Sequence, residues 1–90
     1  MEELVDFLRR IRMDHRIGTA HVSLYVALLG LREELGVRGF FPVDREEVMA
    51  RAKILGRERY YGCLRELAEA GYIEYWPENY PGKRSKVRVG

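Results

Sequence analysis

The sequence predicts a mostly helical α+β fold that closes with a β-hairpin. Three observations carry this. Apolar residues recur at helical spacing before Gly36. Two short helical patterns, with about four residues between them, fill residues 44–70. An aromatic, β-branched run follows directly on Gly71. Ninety residues suit a single domain built on one modest core.

The first element is a helix from Glu3 to Arg12. Leu4, Phe7, Leu8 and Ile11 share one stripe, and Arg9, Arg10 and Arg12 lie off it. Met13 to Gly18 breaks the pattern, so residues 1–18 read as a helix and turn. Thr19 is the expected N-cap of the next helix, Ala20 to about Leu35. Val22, Tyr25, Val26 and Leu29 form one of its stripes, and Leu24, Leu28, Leu31 and Leu35 the other. Two stripes describe a helix buried on most sides, hence the central core helix of residues 19–36, ended by Gly36.

Val37 to Val43 reads as a loop or short extended segment from which Phe40 and Phe41 plug the core. Asp44-Arg45-Glu46-Glu47 matches a capping box, so a short helix runs to about Ala52 with Val48 and Ala52 inward. Lys53 to Gly56 is a tight break, with Gly56 as N-cap of a helix from Arg57 to about Ala70. Tyr60, Leu64 and Leu67 are its buried stripe, with Cys63 and Ala68 at the edges. Gly71 closes it. Tyr72 to Trp76 is a strand, Pro77 to Gly82 a turn, and Lys83 to Val89 the returning strand of a hairpin over residues 72–89.

Composition bounds the function. Hydrophobic residues make up 47% and charged residues 33%, the balance of a globular rather than a disordered chain. The single Cys63 cannot form an internal disulfide, which fits a reducing compartment. The acidic start, Met1-Glu2-Glu3, shows no signal peptide, and no apolar run is long enough for a bilayer. The expected location is cytoplasmic. His15 and His21 have no ligand partners at useful spacing, and Cys63 has no histidine near it in the chain, so neither metal nor cofactor is expected. No phosphate-binding glycine loop or catalytic pair is visible, so no enzyme activity and no small-molecule substrate are expected. Net charge is only +2, but residues 1–50 carry seven Arg against nine acids, and residues 51–90 nine Lys/Arg against five. The positive charge collects in the C-terminal part.

Two short helices and a tight turn over residues 44–70 make a helix-turn-helix, and the hairpin after them makes it a winged helix-turn-helix. Leu64 to Ile73 resembles the L-x-x-L-x-x-x-G-hydrophobic-I run with which winged-helix regulators close the recognition helix and open the wing. The leucines seat the helix, glycine reverses the chain, and the next apolar pair starts the sheet. His21 to Leu28, Phe41 to Met49 and Arg59 to Leu67 also look like small winged-helix proteins of Bacteroidetes, often encoded on mobile elements and treated as transcriptional regulators. That resemblance implies a DNA-binding regulator or mobile-element accessory factor. The chain departs from the pattern at Gly56, where Ser is usual, and at Gly62, where a basic residue is common.

In such a fold the second helix of the motif enters the major groove. Subtracting its buried stripe leaves Arg57, Arg59, Tyr61 and Arg65 outward as DNA-binding residues, with Glu58 among them. The arginines suit guanine edges or phosphates, and Tyr61 a phosphate or a thymine methyl. Arg51 and Lys53 at the turn suit the DNA backbone, and Lys83, Arg84, Lys86 and Arg88 let the wing track an adjacent groove. Tyr60, Tyr72, Tyr75 and Trp76 read as core or hairpin cover. The expected partner is double-stranded DNA. The N-terminal helix is the best surface for a homodimer, or it packs on its own domain; the sequence leaves both open. A winged helix used only for protein interaction is the alternative, favoured by Glu58, Glu66, Glu69 and Gly62.

Overall fold

The structure is a computed structural model and describes residues 1–78 and 83–90. The described residues form four helices: α1 (Glu2–Ile11), α2 (Thr19–Leu35), α3 (Arg45–Ala52) and α4 (Arg57–Glu69). A short strand β1 (Phe41–Pro42) precedes α3, and β2 (Ile73–Trp76) and β3 (Lys86–Val89) follow α4. The expected turn at Pro77 to Gly82, with Asn79 and the second proline, falls outside the described residues from 79 to 82.

The strands form one antiparallel sheet in the order β1-β3-β2. Val87 sits in its middle, opposite Phe41 on one side and Tyr75 on the other. The sequence predicts two strands; the third comes from Val37 to Val43, where a loop or a short extended segment is expected. Its pairing continues past Pro42, where Val43 N–H donates to the Ser85 carbonyl at 2.9 Å. Only Phe41 of the expected pair plugs the core. Phe40 points out of the sheet, 40% exposed, because neighbouring strand residues alternate between faces.

The core is laid against α2, whose Leu24, Tyr25, Ala27 and Leu28 are buried. Val48 and Ala52 of α3, Tyr60, Cys63, Leu64 and Leu67 of α4, and Ile73, Val87 and Val89 of the sheet complete it. The two-stripe expectation for α2 holds on these faces but fails at Val26 and Leu35, which are exposed. Arg32 is buried instead, where it donates to Glu3 Oε2 at 2.7 Å and to the Val89 carbonyl at 3.2 Å. Among the described residues, no helix is long and apolar enough to cross a membrane.

Helix α1 holds on through Phe7, its one buried residue. The Phe7 ring stacks on Tyr25 with centroids 3.7 Å apart and meets Tyr72 edge-on at 5.2 Å. Leu8, expected in the same buried stripe, is turned out and exposed. The turn after α1 is pinned at Asp14. Its carboxylate accepts from Arg16 through two bonds of 2.8 Å and from the Tyr72 hydroxyl at 2.7 Å. These donors, Arg16 foremost, hold the Asp14 carboxyl well below the usual carboxylate range.

Two expected caps are corrected. Gly18, not Thr19, is the N-cap of α2, and its N–H donates to His21 Nδ1 at 2.9 Å. Asp44 caps α3 by position alone, without a side-chain bond, and Glu47 reaches forward to Arg51 rather than back to the cap. The helix ends match expectation. Gly36 is left-handed at φ 68°. After α4, Gly71 at φ 85° lets its own N–H bond the Ala68 carbonyl at 3.0 Å and lets Tyr72 N–H bond Leu67 at 2.9 Å. That reciprocal closure needs a residue free to adopt positive φ.

Candidate nucleic-acid interface

Residues 53–56 hold α3 and α4 at a sharp corner. Lys53 takes the left-handed conformation at φ 61°, the one described non-glycine residue to do so. It carries the chain past the end of α3, with Ile54 N–H bonding the Met49 carbonyl at 3.1 Å. Ser23 of α2 donates its hydroxyl to the Ala52 carbonyl, which ties this corner to the core. Ile54 is buried, whereas Leu55 next to it is 98% exposed. Gly56 is the N-cap of α4, as expected, in extended conformation.

Beyond that corner, Arg57 and Arg59 in the first turn of α4 and Arg65 further along are exposed. Among the described residues none of the three enters an ion pair. Tyr61 is half-buried. Its hydroxyl is the foremost influence that raises the pKa of the Arg45 guanidinium at the start of α3. Tyr61 and Arg65 line a groove with Tyr75 of β2 and with Pro77, Glu78 and Ser85 at the described end of the hairpin, so one acid stands among its walls. Glu78 N–H donates to Ser85 Oγ at 3.1 Å, closing the described end of the hairpin beside that groove. Exposed Lys83 and Arg84 lead directly into Ser85. The outward face of α4 and the start of the returning segment therefore adjoin.

The other predicted cations are placed differently. Arg51 is held by two acids: its Nη2 is 3.0 Å from Glu34 Oε1 of α2 and 3.1 Å from Glu47 Oε1. These bonds raise the Arg51 pKa further and lower that of Glu34. Lys86 and Arg88 alternate with the buried Val87 and Val89, so they occupy the sheet face opposite the core. Arg88 is bonded to Glu74 at 2.5 Å and sits 5.2 Å above the Phe40 ring. Trp76 shares this outer face, 64% exposed, with its ring edge-on to Phe40 at 6.4 Å. Of the two readings of Trp76, core or hairpin cover, the first is corrected: its neighbour Tyr75 takes the inner side.

Cys63 is not isolated from histidine, as its position in the chain suggested. His21, Cys63 and Glu66 bring their ligand atoms within 4.8 Å of one another, because α2 and α4 pack side by side. The donor sense opposes a metal. Gly18 N–H points at His21 Nδ1, so the neutral ring carries its proton on Nε2 and donates to Glu66 at 2.7 Å. A metal on Nε2 would drive that proton onto Nδ1, donor against donor, whereas metal-bound histidines donate their second nitrogen to an acceptor. Burial pushes the Cys63 thiol pKa up, away from the thiolate a nucleophile needs.

No protein-family model, no curated protein and no solved structure matches this chain.

Proposed function

We propose that the chain is a winged helix-turn-helix protein that binds double-stranded DNA, as a transcriptional regulator or mobile-element accessory factor. The observation that carries the reading is the exposed set Arg57, Arg59 and Arg65 on α4, in no ion pair among the described residues, with Arg65 in the groove that reaches Ser85, the residue next to Lys83-Arg84 in the chain. In this reading α4 is the recognition helix and enters the major groove, with Arg57 and Arg59 at its leading end. The hairpin is the wing, and Lys83 and Arg84 track phosphates beside the groove. Leu55, projecting at the corner before α4, supplies an apolar contact of the kind a thymine methyl accepts. Arg45 and Lys53 flank the helix as backbone contacts.

Binding of a labelled duplex pool, followed by fluorescence anisotropy across a salt series, tests this. With about five phosphates contacted, log K falls against log salt with a slope of about −4.5. Reversing both Arg57 and Arg59 to Glu weakens binding at least tenfold. A flat salt response, or binding indifferent to that reversal, overturns the proposal. Selection of bound sequences from the pool then defines the site.

A second reading is a winged helix that contacts protein instead. Its specific support is that Arg51 and Arg88 are already neutralised by acids while Trp76 and Phe40 stand exposed together. It predicts no salt-dependent duplex binding, and loss of partner capture on Trp76→Ala.

A further inference from the structure

Helix α1 carries more apolar surface than its own domain covers. Val5 is 43% and Leu8 46% exposed, and Met1 is exposed beside them. At about 100° per residue, Met1, Leu4, Val5 and Leu8 occupy one sector of the helix, turned about 100° from the anchoring Phe7. Phe7 ties the helix down while this neighbouring sector looks outward.

Charge along α1 is divided by half. Glu2, Glu3 and Asp6 precede Arg9, Arg10 and Arg12. Some of these charges are used within the domain. Glu3 binds Arg32, and Arg10 lies 4.8 Å over the Tyr72 ring and 3.8 Å from Asp6. Glu2, Arg9 and Arg12 are exposed and take no ion-pair partner among the described residues. A second α1 laid parallel would set acid against acid and base against base. Laid antiparallel, it sets the acidic end of each helix against the basic end of the other and opposes their dipoles favourably. The surface is thus complementary to itself under a two-fold axis, the condition for a closed pair.

We propose that α1 is the contact surface of a homodimer, two copies crossing antiparallel with Val5 of each against Leu8 of the other and Glu2 near Arg12. A ten-residue helix is about 15 Å long. Two of them bury less than the ~1,200 Å² of a standard interface, which places the contact among weak, dissociating ones.

Sedimentation equilibrium of the full chain, without DNA, from about 5 to 300 µM tests this, with circular dichroism confirming that each variant is folded. A monomer–dimer equilibrium is expected. Leu8→Glu weakens it at least tenfold. Glu2→Arg and Arg12→Glu each weaken it several-fold, and the two together restore it, because the swapped charges meet again across the axis. The charge-swap series stands even if Leu8→Glu fails to fold. A monomer throughout, a dimer indifferent to Leu8→Glu in the folded variant, or a double swap that restores nothing overturns the proposal. Since no DNA is present, either result leaves the duplex-binding proposal to its own test.

Discussion

Arg51 of α3 is clamped to Glu34 at the far end of α2, so a cation beside the proposed DNA face is already neutralised within the protein. Both side chains lie near the surface, where such a pair adds little to stability. Glu34→Gln is therefore expected to keep the melting temperature within a few degrees of the parent. It leaves Arg51 with Glu47 alone, and adding Glu47→Gln makes its charge available to phosphate. One added phosphate contact steepens the salt slope by about 0.9. The slope for the double variant Glu34→Gln with Glu47→Gln against that of the parent checks this; an unchanged slope removes Arg51 from the interface.

Gly62 lies in the interior of α4, half-buried, and a Cβ built there meets nothing within 4 Å. Its backbone is helical, so glycine contributes only flexibility to the unfolded chain. Gly62→Ala is expected to stabilise the protein by about 0.5–1 kcal/mol, read from urea denaturation. Gly62→Arg gains less stability but adds a cation to the outward side of the helix. It should tighten duplex binding several-fold, whereas Gly62→Ala leaves binding where it was. Equal affinity for both variants would place Gly62 away from the DNA.

Much of the fold was legible from local chemistry. The Tyr60-Leu64-Leu67 stripe, the break at Lys53 to Gly56 and the closures at Gly36 and Gly71 each follow from a few neighbouring residues, and all are where the spacing put them. What was not legible depends on distance along the chain. Arg32 is buried because Glu3 and the Val89 carbonyl come to it from opposite ends of the sequence. Asp44 and Glu47 have the residues of a capping box, yet Glu47 is taken by Arg51, which Glu34 of α2 also holds. His21 meets Cys63 and Glu66 only once α2 and α4 pack. The candidate site divides the same way. Arg57, Arg59 and Arg65 are outward as helical periodicity requires, whereas the pairing of Arg51 and Arg88 and the exposure of Leu55 needed the tertiary arrangement.

Acid stability is expected to run through Asp14. Its folded pKa is lowered, first by the Arg16 bonds and then by the Tyr72 hydroxyl. A depressed carboxyl stabilises the fold above its unfolded pKa of about 3.9, and that contribution is lost as pH falls toward the folded value. Parent protein should therefore lose melting temperature steadily from about pH 5 downward. Asp14→Asn cannot titrate there. It should melt lower at pH 7 but show a shallower decline below pH 5, so the two curves converge in acid. Parallel curves would mean that Asp14 does not govern the acid limb.

The one buried side chain that attaches α1 is Phe7, with the Glu3–Arg32 bond and half-buried Ile11 as lesser ties. Phe7 fills the angle between Tyr25 and Tyr72, and no other side chain of α1 is fully buried. Truncating a buried phenylalanine to alanine typically costs about 3–5 kcal/mol through lost contact and the cavity left behind. Here the cost has a ceiling. Once the energy of losing Phe7 exceeds what holds α1, the helix detaches and the cavity opens to water, while the Leu24, Leu28, Leu64 and Val87 core stays closed. Phe7→Ala is therefore expected toward the low end, about 3 kcal/mol, with unequal hydrogen exchange. Amides of residues 2–11 should lose nearly all protection, and those of α2 and α4 should keep most of theirs. Phe7→Leu, which preserves apolar volume without the stacking, should retain most α1 protection. Uniform loss across all four helices in Phe7→Ala would instead make α1 an integral member of the cooperative core.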